Sequence, residues 1–213
     1  MILGLFTELL STGGIQRAGR HSAAVLASWA EHRRMPFRFI SLNDPQGLHR
    51  LRIAALEFSV SGYGRSKVPF ILAALRAARR KPKLILAAHP HLAPVVRAMN
   101  LLAPAARTLI ITHGIEVWNP LKSLRRQALR AADCVLAPST DTARRVAEVQ
   151  GVAPEKICVL PWGLDPPFAA SQDDCPEGAL PEGFPAGRVI LTVGRWASNE
   201  GYKGADTLIL ALL

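Results

Sequence analysis

Two cations beside glycines, Arg195 after Gly194 and Lys203 before Gly204, carry the sharpest chemistry in this sequence. An arginine offers a planar fork that fits phosphate oxygens, and a lysine offers a compact point charge. Both fall between a β-branched run, Val189–Val193, which reads as a strand, and a helix beginning at Ala205 or Asp206. The pair suits a diphosphate whose negative charge grows as a bond to it breaks. Donors fixed there stabilise the transition state more than the ground state. For either residue alone, a solvent-exposed basic loop is the better reading.

Three other places have the right composition for a ligand edge. Thr12-Gly13-Gly14-Ile15 joins the first strand to the first helix. Glycines there let the backbone approach a ligand, and the helix start offers free N–H groups to an anion. The pattern is neither GxGxxG nor a P-loop, and a tight turn needing positive φ explains it as well. His113-Gly114-Ile115-Glu116 follows directly on a strand. A histidine in that position hydrogen-bonds a substrate hydroxyl or phosphate, or simply its own backbone. His89-Pro90-His91 also ends a strand. With no third ligand at metal spacing, packing and loop hydrogen bonding is the better reading.

The elements that must position these residues alternate. Strands are predicted at Ile2–Phe6, Phe37–Leu42, Ile53–Val60, Leu84–Ala88, Thr108–Thr112, Cys134–Ala137 and Ile157–Leu160. Asn43-Asp44-Pro45 reads as a turn. Helices are predicted at Ile15–Ala30, with Ile15, Ala18, Ser22, Val25, Leu26 and Trp29 on one stripe, and at Arg65–Arg80, with Val68, Ile71, Leu72, Leu75 and Ala78 inward. Further helices are expected at Pro94–Leu102, over 120–131, and from a Ser139 cap to Gln150, stopped by Gly151. The β-α alternation argues for an α/β fold, a doubly wound parallel sheet. Residues 1–165 read as that domain, the Pro-, Gly- and acid-rich 166–187 as a linker, and 188–213 as the start of a second domain.

Bulk composition narrows the classes. Hydrophobic residues make up 49% and charged residues 20% of the chain, which is a core-forming balance. The opening MILGLFTEL has no basic flank or small-residue cleavage site and is not read as a signal peptide. No apolar run reaches the roughly 18 to 20 residues that span a bilayer. Cys134, Cys158 and Cys175 show no zinc or disulfide spacing, which suits a reducing cytosol. The net charge is +10, concentrated at Arg76–Lys83 and Leu121–Arg130. In the second run Lys122, Arg126 and Arg130 recur every four residues on one helix face. A solvated basic face, or attraction to anionic lipid headgroups, explains these runs. Nucleic acid is disfavoured because no aromatic residues interleave them.

Five segments in series resemble glycosyltransferase family 4: Gly13-Gly14-Ile15-Gln16-Arg17, HGIE at 113–116, APSTDTARRV at 137–146, LPWGLD at 160–165 and VGRWASNEGYKGAD at 193–206. The resemblance covers essentially the whole chain. It implies the GT-B fold, two Rossmann-like domains facing a cleft, with the second domain here incomplete. It implies retaining transfer of a sugar from a nucleotide-sugar to an acceptor glycan or lipid-linked saccharide, as in cell-envelope polysaccharide biosynthesis, with no metal and no other cofactor. By that resemblance Gly14 lies near the donor phosphate, His113 assists at the reaction centre, and Arg195 and Lys203 hold the leaving diphosphate. Gly13 and Glu116 make acceptor or loop contacts. The expected setting is the cytoplasm, with peripheral contact at the inner face of an anionic membrane. Trp162 stands where the family commonly has Asn, and the family's paired glutamates and nucleoside pocket lie further along than Leu213. The 213 residues therefore read as an inactive fragment of such an enzyme. The alternative is a non-catalytic Rossmann module or pseudoenzyme subunit binding an anionic ligand or membrane surface.

Overall fold

A computed structural model describes residues 1–53, 55–163, 189–192 and 204–211. The chain divides into two units at Gly163/Leu164. The first contains β1 (Ile2–Phe6), α1 (Gly14–His32), β2 (Phe37–Ser41), β3 (Gly47–Ile53), β4 (Leu56–Gly62), α2 (Lys67–Ala78), β5 (Leu84–Ala87), α3 (Ala93–Leu102), β6 (Arg107–Ile111), α4 (Ser123–Ala131), β7 (Cys134–Ala137), α5 (Thr140–Glu148) and β8 (Ile157–Val159). The strands form one eight-stranded sheet in the order β3-β4-β2-β1-β5-β6-β7-β8. All pairings are parallel except β3 with β4. The expected doubly wound α/β sheet is present. Among the described residues, no helix is long and apolar enough to cross a membrane.

The predicted strand Ile53–Val60 is instead a hairpin, with Leu51 opposite Phe58 and Arg52 opposite Glu57. Its first arm hides in the sequence because Arg50 and Arg52 alternate with Leu51 and Ile53. Charged residues of this kind guard a sheet edge against further pairing.

Helices α2, α3, α4 and α5 share one apolar core with Leu3, Leu5, Ile85, Ile110 and Val135. On the opposite face α1 packs over Ile2, Phe6, Phe39, Phe58 and Val60. The ring of Phe39 meets those of Phe6 and Phe58 edge to face, at centroid distances of 5.7 and 5.5 Å. Gly4 in β1 leaves the room they need, since a Cβ there would lie 2.7 Å from the Phe39 ring.

These large sheet residues fill the space between layers, so the helices supply small ones. Helix α1 buries Ala18, Ala23, Ala24, Leu26, Ala27 and Ala30 and leaves Val25 and Trp29 67% and 42% exposed. Helix α2 buries Phe70, Ala73, Ala74, Ala77 and Ala78, with Val68, Ile71 and Leu72 outward and Leu75 half-buried. Both predicted inward stripes are therefore corrected. In α1 only Ala18 and Leu26 of the expected stripe are buried, and in α2 only Ala78. The alanines recur at the same 3.6-residue period, and close packing against bulky strands selects them over larger neighbours.

The local signals around α5 are read correctly. The Ser139 hydroxyl accepts the Thr142 N–H at 3.2 Å, Asp141 pairs with Arg144 and Arg145, and Gly151 takes φ 69°. The basic row on α4 is not simply a solvated face. Arg126 donates to the Gln150 carbonyl at 3.1 Å, and the Arg130 guanidinium lies beside Gly151. Two of its three cations thus sit at the negative end of α5, while Lys122 is exposed.

In the second unit, residues 189–192 belong to no strand, unlike the extended run expected for Val189–Val193, and Val193 lies outside the described residues. Helix α6 (Ala205–Leu210) begins where the sequence placed it, after Gly204 at φ 71°.

The reversed helix faces make a direct prediction. Enlarging the fully buried Ala27 to leucine will destabilise the domain by about 1–3 kcal/mol. Val25→Ser will stay within about 0.5 kcal/mol of wild type. Urea unfolding of both variants checks the assignment, and a larger loss for Val25→Ser would reverse it.

Candidate functional site

Strand order fixes where a ligand fits. From β1 the chain moves to β2 and β4 on one side, then crosses to β5 and continues outward on the other. The connections after β1 and β5 therefore diverge and open a crevice at the carboxyl ends of the strands, where ligands bind in open α/β sheets. Gly13 and Gly14 follow β1, His89 follows β5, and His113 and Glu116 follow β6.

The loop from β1 to α1 is held by groups remote in sequence. The Asp44 carboxylate, 1% exposed, accepts the N–H groups of Leu9 and Leu10 at 2.9 and 3.0 Å. Arg20 donates to the carbonyls of Leu9 and Ser11 at 2.7 and 2.8 Å. Gly13 sits at φ 151°, and a Cβ there would strike the Gln16 side chain. A Cβ at Gly14 would meet no atom within 4 Å, so no described protein atom requires a glycine there. Gly13 gives no side-chain cap to α1, and the first N–H groups of the helix lack intrahelical partners. The Ser11 hydroxyl, buried in the same loop, has no hydrogen-bond partner among the described residues.

Rings line the other side of the crevice. The His113 Nε2 lies 2.8 Å from the Ala88 carbonyl. A carbonyl only accepts, so Nε2 carries a proton in this bond. The Glu116 carboxylate accepts the His113 N–H, and Gly114 at φ 137° turns the chain between them. His89, 7% exposed, accepts the His91 N–H on Nδ1 at 3.1 Å, so the His89–His91 pair makes the expected loop hydrogen bond. Centroid distances of 4.4 Å from His91 to His89, 5.7 Å from His89 to His113 and 5.4 Å from His113 to Trp162 string four rings into a row. The last pair is stacked at 21°.

Burial, reinforced by the positive charges of His91, His113 and Arg125, pushes His89 down to about 3. It is therefore neutral at physiological pH. Burial and Arg125 also lower His91, against an opposing contribution from Glu116. The site thus presents a neutral His89, backbone N–H groups and nearby cations, a set suited to hydroxyls and anions. Among the described residues, no three His, Cys, Asp or Glu side chains are placed to share a metal ion.

Of the predicted site residues, Gly13, Gly14, His113 and Glu116 lie at the carboxyl edge of the sheet. Arg195 and Lys203 lie outside the described residues. Sequence reading missed Asp44 as the loop's anchor, because it stands 35 residues from Leu9. It also missed Trp162 as the ring on His113, since nothing local pairs positions 49 apart.

The chain matches the family model described as Glycosyltransferase Family 4 over residues 16–167. It is similar in fold to the apo form of a lipopolysaccharide outer core galactosyltransferase, WaaB, with TM-score 0.52 and 10% identity over 78% of this chain and 46% of that one. A weaker likeness is to HepE of Anabaena solved with UDP-glucose, at TM-score 0.47 and 14% identity over 78% and 45% of the two chains. The chain spans about half the length of these structures. Among curated proteins no sequence match is found.

The site's electrostatics predict a pH effect. Between about pH 3 and 6.5 unfolded His89 binds a proton that the folded ring does not. Stability therefore falls as pH drops through that window. Ring-nitrogen NMR will show His89 neutral at pH 5, and His89→Phe will flatten the slope of stability against pH. A charged His89 at that pH would contradict the buried arrangement. Asp44→Ala will strand the buried N–H of Leu9 and the partly buried N–H of Leu10 and cost about 1–3 kcal/mol, measured by urea unfolding.

Proposed function

This chain belongs to glycosyltransferase family 4, and we propose that it carries the acceptor-side domain of an enzyme that moves a sugar from a nucleotide-sugar to a glycan or lipid-linked saccharide, with retention of configuration. The observation that carries this reading is the crevice between the β1 and β5 connections. The unobstructed Gly14 lies on one side of it and the oriented ring of His113 follows β6 on the other.

In this reading each residue has a physical task. Gly14 lets the donor phosphate approach the start of α1, whose unpaired N–H groups favour negative charge. His113 is anchored through Nε2–H to Ala88 and offers Nδ1 to a hydroxyl of the transferred sugar. Glu116 holds the His113 backbone. Trp162 stacks on the ring and limits its rotation. As the bond from the anomeric carbon to the diphosphate breaks, charge grows on the leaving oxygens. Arg195 and Lys203 are proposed to receive it. Fixed donors at that point lower the barrier without reorganisation. The reading uses the nucleotide-sugar as co-substrate and calls on no metal. It is set at the cytoplasmic side of a cell envelope, where the acceptor is assembled.

Kinetics on a longer form carrying a second domain tests this reading. His113→Ala and Lys203→Ala will each lower kcat by about 10² or more, the scale of losing a transition-state donor. Gly14→Ala will leave folding stability unchanged or raised by up to about 1 kcal/mol, yet impair use of the nucleotide-sugar. Near-wild-type rates in His113→Ala and Lys203→Ala would remove the site assignment. An absence of sugar-nucleotide consumption by the longer form would favour a non-catalytic module.

A further inference from the structure

Gln150 is fully buried, unlike most glutamines. It follows α5 and commits its side-chain amide to one loop, the connection from β6 to α4. Its Nε2 group donates to the carbonyls of Val117 and Asn119 at 2.7 and 2.8 Å. Its Oε1 accepts the Leu121 N–H at 3.0 Å. An amide fits this place because it supplies two donors and an acceptor in one plane, where a carboxylate supplies acceptors alone. The Gln150 backbone is held in turn, since its carbonyl accepts the Arg126 Nε–H of α4 at 3.1 Å.

The loop that Gln150 holds begins with His113 and Glu116, and its first part is bonded into one piece. The His113 N–H donates to the Glu116 carboxylate. The Val117 N–H donates to the Gly114 carbonyl at 3.0 Å, and the Trp118 N–H to that of Ile115 at 3.3 Å. Arg145 of α5 covers the Trp118 ring, 4.8 Å from its centroid. A piece so joined shifts as a unit when its far end is released. The bonds at residues 117, 119 and 121 therefore fix where Glu116 stands and how it holds His113.

We propose that Gln150 is a positioning residue for sugar transfer: by fixing the loop at residues 117–121 it sets the Glu116 carboxylate and, through it, His113. The inference rests on the catalytic reading of His113 and adds a residue that touches neither substrate nor reacting atoms. A buried polar network whose members are all paired is rigid. Rigid support decides geometry at a reacting centre, where a remote change that displaces a group by about 1 Å costs on the order of 10²-fold in rate. Arg126 tightens the same clamp from α4.

Two clamp variants and a control test the role. Gln150→Glu keeps the side-chain shape and the Leu121 bond but sets a carboxyl group against two carbonyls. Arg126→Met frees the Gln150 carbonyl from the half-buried side of α4 and carries the test if the buried variant does not fold. Thr108→Val breaks the hydroxyl bond to Asp133 at the other end of β6 and controls for lost stability alone. In the isotopically labelled 213-residue chain, each clamp variant will move the signals of His113, Glu116 and Val117 and leave those of Gly13 and Gly14 in place. Thr108→Val will leave the Glu116 and Val117 signals in place. In a longer form carrying a second domain, Gln150→Glu will lower kcat about tenfold or more, with the KM for nucleotide-sugar within about twofold of wild type. Arg126→Met will give the same split at smaller size, and Thr108→Val will keep the wild-type kcat. Combined with His113→Ala, Gln150→Glu will cost no more than His113→Ala alone, because the two act through one group. Unmoved His113 and Glu116 signals in the folded clamp variants, an unchanged kcat in them, or losses that multiply with His113→Ala would overturn the positioning role and leave the catalytic reading standing. Near-wild-type turnover by His113→Ala would overturn both.

Discussion

The buried carboxylate of Asp44 joins the parts of the site edge that the chain itself keeps apart. It takes the N–H groups of Leu9 and Leu10 at the start of the loop that leads to Gly13 and Gly14. Its own backbone carbonyl accepts the Gly64 N–H at 2.7 Å, at the passage from β4 to α2. Gly62 lies so close to Pro45 and Asp44 that a Cβ would collide with both carbonyls. One residue after β2 thus fixes the loop after β1 and the turn after β4. Buried N–H groups must be paired, and here the pairing sets the shape of the crevice wall.

The opposite wall depends on tautomers. His113 donates to Ala88 and His89 accepts from His91, so each ring has one nitrogen committed to the backbone. Desolvation keeps His89 neutral beside His113. The result is a preorganised wall in which His89 carries no charge and Arg125 lies nearby. That arrangement suits a polar ligand whose own charge changes during a reaction.

Much of the fold was legible because its signals are local. The runs at Ile2–Phe6, Leu84–Ala88 and Cys134–Ala137, the Ser139 cap and the Gly151 stop each announce themselves within a few residues. The candidate glycines and His113 were legible as well, since each follows a strand that could be read. What failed was information shared between elements. Hydrophobicity pointed to Val25, Ile71 and Leu72 as inward residues, yet Phe6, Phe39 and Phe58 had already filled the space on the α1 side, and alanines took the helix side of both cores. The edge strand Gly47–Ile53 was masked by its guarding arginines. Asp44 and Trp162 act on residues 35 and 49 positions away, and no period in a sequence reports such pairings.

Chemical-shift mapping of an isotopically labelled longer form carrying a second domain, with an added nucleotide-sugar, tests the central claim most directly, because it reads the crevice residue by residue. The account predicts perturbations gathered at Ser11–Gln16, His89, His113–Glu116 and Trp162, the residues set around the divergence of β1 and β5. Perturbations confined to the amino ends of the strands, near Lys83 and Arg107, with His113 and Gly14 unchanged, would contradict it.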